Sequence, residues 1–165
     1  MRSDVTLQPL DRARLRDLLH AAVEDADPLE VMPPVPGPGA WTPQRRSAFL
    51  RFHESRSLSA HPVEATFVIV VSGRVVGAAR LCPLEDREGT VEAGVWIGRS
   101  HRGVGVGATV LELLLDQARA RGCEGVYVST TPANSAVRAL MTGLGVDLVP
   151  DGDELVGCVR LTADA

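Results

Sequence analysis

Between Thr90 and Arg121 the chain passes from a strand-like segment through Arg102-Gly-Val-Gly-Val-Gly107-Ala108 into a helix. That glycine-rich turn constrains the fold more than any other feature. Thr90 to Ile97 reads as a strand, and Leu111, Leu114, Leu115 and Ala118 recur at helical spacing from about Val106 to Arg121. Gly122 then ends the helix. Gly103, Gly105 and Gly107 leave no side chain between the backbone and a ligand. At a helix start, successive N–H groups and the helix dipole favour an anion. Arg102 adds a charge at the mouth, and His101 adds another when protonated. A phosphate or pyrophosphate suits this turn. The alternative is a tight turn with nothing bound, in which three alternating glycines lose conformational entropy without a compensating contact.

The remaining pattern places the turn in a larger architecture. Val5 and Leu7 alternate with polar residues, as in a short edge strand. Asp11 can cap a helix whose apolar face is Leu15, Leu18, Leu19, Ala22 and Val23. Asp27 to Ala40 carries five prolines and is expected as a surface loop, neither helix nor central strand. Thr42-Pro43 opens a second helix, with Phe49 and Phe52 on one face. Arg45, Arg46, Arg51 and Arg56 lie mostly on its other faces, the pattern of a solvated face that can also meet an anionic substrate. Phe67 to Val71, a Ser72-Gly73 turn and Val75 to Leu81 form a hairpin. Pro83 to Gly89 is an acidic loop. Gly125 to Thr130 is a further strand and about Ala133 to Thr142 a short helix. Val146 to Val149 and Leu155 to Leu161 make a last hairpin about Asp151-Gly152. The expected fold is α/β (α+β), with a mixed, mostly antiparallel sheet flanked by helices. Three antiparallel strands precede one right-handed β-α-β crossover, in a single domain over residues 1–165.

Composition excludes several classes of function. All 17 basic residues are Arg, against 21 acidic ones, which gives a formal charge of −4. Without Lys there is no Walker loop and no Schiff base. The acidic balance argues against a nucleic-acid partner. No apolar run approaches the roughly 18 residues of a membrane span, so a cytoplasmic location without a membrane partner is expected. The four histidines show no metal-ligand spacing and no C-x-x-C occurs, so no metal is expected. Cys82, Cys123 and Cys158 read as buried thiols in a reducing compartment, and Cys123 is read as such rather than as a nucleophile.

Two phosphate-binding motifs compete at the turn. Gly103-x-Gly105-x-x-Ala108, with Glu124 about twenty residues on, matches the dinucleotide fingerprint. Its context is wrong, because the glycines start several residues after the strand and Glu124 opens the next strand. The segment instead resembles the central motif of the GNAT superfamily of acetyl-CoA-dependent N-acyltransferases, [Arg/Gln]-x-x-Gly-x-[Gly/Ala], with Arg102, Gly105 and Gly107 in place. Glu92-Ala-Gly-Val-Trp-Ile97 resembles the family's fourth strand. The segment from Asn134 through Met141 to Gly145 resembles its asparagine-bearing helix and the glycine that follows. From about Phe67 to Leu161 the expected element order is the family's order.

The resemblance implies a site. The N–H groups of Arg102, Gly103, Val104, Gly105, Val106, Gly107 and Ala108 would hold the coenzyme A pyrophosphate. The fourth and fifth strands would splay at a bulge. The backbone of Val95, Trp96 and Ile97 would hold the pantetheine arm and bring the thioester between Val95 and Val128. Asn134 would contact that arm or its waters, or only cap its helix. An amine would attack the thioester directly. Glu92 would take its proton through water, with a pKa that partial burial raises. N–H groups near Trp96 and Ile97 would face the developing oxyanion. Met141 stands where the family often has the tyrosine that protonates the leaving thiolate. The sole tyrosine, Tyr127, is elsewhere, so water or Ser129, Thr130 or Thr131 would serve. Val146 replaces the usual aromatic residue and is read as a core substitution. The acceptor side would be the N-terminal helices and the Pro-rich loop, whose acidic start (Asp25, Asp27, Glu30) could bind a cationic amine and which Trp41 would anchor. The implied function is acetyl transfer from acetyl-CoA to a small amine: a metabolite, amino acid or antibiotic. A protein or peptide acceptor and a non-catalytic acyl-CoA-binding module are the alternatives. A homodimer is the assembly the family suggests, with no patch in the sequence to demonstrate it.

Overall fold

Phe67 to Val71 and Val75 to Leu81 are apolar nearly throughout, as in strands covered on both faces. In the computed structural model, which describes residues 2–161, both faces are covered. The strands are β1 (Val5–Pro9), β2 (Ala65–Val71), β3 (Arg74–Pro83), β4 (Thr90–Ile97), β5 (Gly125–Thr130), β6 (Val149–Asp151) and β7 (Glu154–Arg160). They form one seven-stranded sheet in the order β1-β2-β3-β4-β5-β7-β6. Every neighbouring pair is antiparallel except β4–β5. That pair is joined by α4 (Val106–Ala120), the crossover expected from the sequence. The ends of the expected domain span, residue 1 and residues 162–165, lie outside the described residues.

Each strand's two sets of side chains feed different cores. Phe67, Ile69 and Leu81 pack with Val110 and Leu114 of α4 and with Met141 of α5 (Ser135–Gly143). Val68 and Ala78 point the other way. They meet Leu15, Leu18 and Ala22 of α1 (Arg12–Asp25), and Phe49 of α3 (Pro43–Ser57). Each of these large side chains, fully removed from water, contributes about 1.5–3 kcal/mol. The caps follow the sequence: Asp11 accepts from the Arg14 N–H and Thr42 from the Arg45 N–H.

Four expectations need correction. The Pro-rich segment holds a short helix, α2 (Pro28–Val31). Proline is excluded from a helix interior, but Pro28 stands at the first helical position, where its missing N–H costs nothing, and Asp27 caps the Leu29 N–H. The last hairpin starts later than expected, at Val149. Val146 and Leu148 instead cover Gly157, where a Cβ would sit 2.9 Å from Val146 Cγ1. None of the three cysteines is fully buried: Cys82 and Cys123 are half-buried, and Cys158 is exposed because it falls on the open side of β7. The splay of β4 and β5 comes without a bulge in β4: its register with β3 runs unbroken from Gly77↔Ile97 to Pro83↔Val91. The shift lies instead between β2 and β3, where Ile69 pairs Gly77 and Val70 pairs Val75, leaving Val76 as the extra residue.

Candidate active site

Strands β4 and β5 pair only through Thr90↔Gly125, Val91↔Val126 and Glu92↔Tyr127. Beyond Glu92 they part, and a cavity of about 360 Å³ opens between them. Val95, Trp96 and Ile97 line it from β4, and Val128, Ser129 and Thr130 from β5. Arg102, Gly107 and Asn134 close its outer end. A second cavity of about 360 Å³ lies on the opposite side, under α2 and α3. Phe52, His53, Thr66, Arg80 and Gly94 line it. Glu30, Val95 and Trp96 border both cavities. Both volumes fall within the roughly 300–1,000 Å³ of small-molecule sites.

The turn before α4 has the geometry of an anion cradle. Arg99–His101 forms one 3-10 turn, and Gly103 and Gly105 follow with φ of 74° and 87°. Only glycine adopts those angles freely. A Cβ at Gly103 would meet nothing within 4 Å and one at Gly105 only Arg2 Cδ at an ordinary 3.8 Å, so torsion and not crowding demands glycine here. Val106 is buried and roots the first turn of α4 in the core, while Val104 is exposed. Arg102 lies across the mouth, donating to the Ile97 carbonyl at 2.8 Å and to Glu30 Oε2 at 2.8 Å. Sequence reasoning missed Arg2. Its backbone N–H donates to Thr109 Oγ1 and its guanidinium to the Val104 carbonyl. The hydrogen bond it donates to the Asp4 carboxylate holds the Arg2 pKa above its ordinary value. No local motif announces this long-range contact.

Asn134 performs the expected cap: Oδ1 accepts the Val137 N–H at 3.2 Å while the residue also lines the cavity between β4 and β5. Glu92 is half-buried on the α1/α3 side of the sheet and lines neither cavity. It sits one side-chain row before Gly94. Gly103, Val104, Gly105, Val106 and Ala108 shape the turn rather than the cavity wall. Met141 is fully buried among apolar residues. Ser129 is hydrogen-bonded to Glu154, and Thr130 is buried at the cavity edge.

The acidic start of the Pro-rich loop is largely engaged. Asp25 accepts from the Ser100 N–H and hydroxyl, which lowers its pKa. Asp27 caps α2, so of the three only Glu30 borders the cavities. Trp41 anchors the loop as expected, giving its indole N–H to the Ala26 carbonyl at 2.9 Å and packing edge-on to Phe49. The arginines of α3 are not all solvated. Arg45 is buried, donating to the carbonyls of Val35, Gly37 and Ala40. Arg56 and Arg80 both bind the Glu64 carboxylate, whose side chain is wholly buried. His53 is also buried, and desolvation pushes its pKa down to about 4. The Glu64 charge opposes that shift and the Arg80 charge adds to it. His53 is therefore neutral at pH 7.

Among the described residues no group of three or more His, Cys, Asp or Glu side chains could hold a metal ion. Among them, too, no helix is long and apolar enough to cross a membrane. A family model described as "Acetyltransferase (GNAT) family" matches residues 28–146. Two curated relatives, from Pseudomonas aeruginosa and Pseudomonas paraeruginosa, are each named L-methionine sulfoximine/L-methionine sulfone acetyltransferase. Each is 32% identical over 80 residues, 47% of this chain and 46% of the relative. The chain thus spans about half the length of the curated relatives it matches. Among solved structures, Mycobacterium smegmatis RimJ in complex with CoA-disulfide has a TM-score of 0.70 at 20% identity, over 94% of this chain and 81% of that one. The yncA protein of Salmonella typhimurium, solved with its cofactor acetyl-CoA, has 0.65 at 20%, over 99% and 97%. A dodecameric spermidine N-acetyltransferase from Vibrio cholerae has 0.64 at 16%, over 97% and 94%. These likenesses are of fold.

Proposed function

The chain belongs to the acetyltransferase (GNAT) family, and from that premise we propose that it moves an acetyl group from acetyl-CoA directly to the amine of a small molecule. One observation carries the reading: two cavities on opposite sides of the sheet meet at Val95 and Trp96, where β4 and β5 part. A donor entering from the glycine turn and an acceptor entering from under α3 would meet there. The site's size and the loop held by Arg45 favour a small acceptor over a peptide.

The residues fit the coenzyme on their own geometry. Gly103 and Gly105 hold the turn open at the N-terminus of α4, and Arg102 supplies the cation for a pyrophosphate. Bound acetyl-CoA would supply an acyl thioester, an activated acetyl donor. The unpaired edge of β4 from Ala93 to Ile97 offers backbone groups to an extended arm. Glu92 takes the amine proton through water, a relay its place outside both cavities requires. The Thr130 hydroxyl is the better placed proton source for the leaving thiolate, since Ser129 is engaged with Glu154 and Met141 has no acidic proton.

Calorimetry with acetyl-CoA, alongside thiol release on a panel of small amines, tests this reading. Binding with release on some amine is expected. Glu92→Gln should lower kcat about 10²–10⁴-fold and leave acetyl-CoA affinity unchanged. Full activity in that variant removes Glu92 as the base, and failure to bind acetyl-CoA overturns the whole reading.

A further inference from the structure

The acceptor-side cavity contains polar groups that the protein itself leaves unanswered. Both ring nitrogens of His53 and the indole N–H of Trp96 are buried without a hydrogen-bond partner. His53 is only 4% exposed, held edge-on between Phe49 and Phe52. Buried polar atoms in folded proteins are nearly always satisfied, so orphans on two residues that line one cavity mark a place for a ligand. Arg80 lies among them. Its side chain runs over Gly94, where a Cβ would come within 2.7 Å of Arg80 Nε, so the missing side chain of Gly94 is what gives Arg80 its place. Arg80 spends one bond on Glu64, which Arg56 also binds twice. Two guanidiniums thus share one carboxylate, leaving one positive charge without a counterion among the described residues.

We propose that Arg80, His53 and the Trp96 indole N–H form a carboxylate subsite, and that the acceptor is an α-amino acid with an apolar side chain. The proposal rests on the acetyl-transfer reading, which puts the reacting amine near Val95 and Trp96. Register places the carboxylate within reach of the same molecule. Arg80 pairs with Gly94, and Gly94 and Trp96 stand two residues apart on one face of β4, about 7 Å. At that spacing the long Arg80 and Trp96 side chains can serve one carboxylate, with the adjacent amine toward Val95 where the two cavities meet. Neutral His53 offers one donor and one acceptor, and Arg80 and Trp96 offer donors only. Val31, Met32, Phe52 and Ala78 supply apolar wall for the side chain. Glu30, which lines both cavities, offers a carboxylate toward the ammonium end.

The chain has two tryptophans, so its ¹⁵N spectrum has two indole N–H signals. Trp41 donates to the Ala26 carbonyl and serves as the internal control. Full-length protein saturated with CoA is titrated with L-leucine and L-phenylalanine, and with their decarboxylated counterparts 3-methylbutylamine and 2-phenylethylamine. The Trp96 signal should move saturably with at least one amino acid and at least about tenfold more weakly with its amine, while Trp41 stays still. Arg80→Met should remove the response. Arg56 still partners Glu64 in that variant, and His53→Phe, which keeps the aromatic packing, should weaken it independently. Equal responses to acid and amine, no Trp96 response to either amino acid, or an undiminished response in Arg80→Met overturns the subsite. Thiol release keeps the two readings apart. Release on the amines but not on the amino acids retains acetyl transfer and overturns the amino-acid acceptor. A Trp96 response without release on any compound supports the subsite while acetyl transfer fails.

Discussion

Arg45 carries its charge almost out of water, and its partners are three carbonyls rather than a carboxylate. From the sequence it is one of four arginines on a polar helix face. Only the return of the Pro-rich loop over α3 makes it a staple. His53 shows the same dependence on context. Its ring is buried beside Glu64 and Arg80, and its pKa falls to about 4. A depressed histidine pKa means that the unfolded chain binds the extra proton first. The contribution of neutral His53 is therefore complete above about pH 6.5 and is lost as pH falls toward 4. Between pH 7 and pH 4.5 this one group should cost about 2 kcal/mol of stability. Urea melts across that range should show the loss in the natural protein and a flatter profile in His53→Phe. Parallel profiles would mean that the ring titrates normally.

At the level of elements, the glycine turn and α4 form a unit whose demand is conformational. Gly105 caps α4 in the left-handed region, and an L side chain there costs about 1–2 kcal/mol whatever the space around it. Gly105→Val should lower Tm by about 2–8 °C and weaken acetyl-CoA binding by at least about tenfold, read by thermal melts and calorimetry. Gly107 differs. Its φ is not positive, and a Cβ would meet Ile97 Cδ1 at an ordinary 3.6 Å, so Gly107→Ala should keep the fold's Tm. A Gly105→Val protein that melts and binds like the natural one would remove the turn from the coenzyme site. Element α2 carries the opposite lesson. Its Asp-Pro start is a helix signal, but the prolines that follow hide it, and four residues are too few for a periodic pattern.

Across the whole molecule, one ion pair joins the two sides of the sheet. Arg102 belongs to the glycine turn and Glu30 to α2 over the cavity under α3, and they meet at 2.8 Å. Both side chains are nearly half exposed, so the pair adds at most about 1 kcal/mol to stability. On the proposed reading its effect falls on binding, because a pyrophosphate at the turn would compete with Glu30 for the same guanidinium. Glu30→Gln should therefore tighten acetyl-CoA binding by up to about fivefold with little change in Tm, and Arg102→Gln should weaken it. Calorimetry on the two variants decides. Weaker binding in Glu30→Gln would show that Glu30 helps to hold the coenzyme rather than competing for Arg102.

What the sequence by itself determined is what local chemistry determines. The longer strands and helices follow from apolar periodicity. The caps at Asp11, Thr42 and Asn134 follow from side chains that reach their own backbone. The turn before α4 follows from glycines that alone tolerate its torsions. The parallel β4–β5 pair was legible too, because a helix long enough to cross the sheet separates those strands. Only the tertiary structure decided which polar groups lose water together. Glu64 between Arg56 and Arg80, His53 and Trp96 without partners, Arg2 over the glycine turn and Glu30 between two cavities all join distant segments. Desolvation and electrostatics act through space, and a pattern read along the chain carries no record of which segments the sheet brings together.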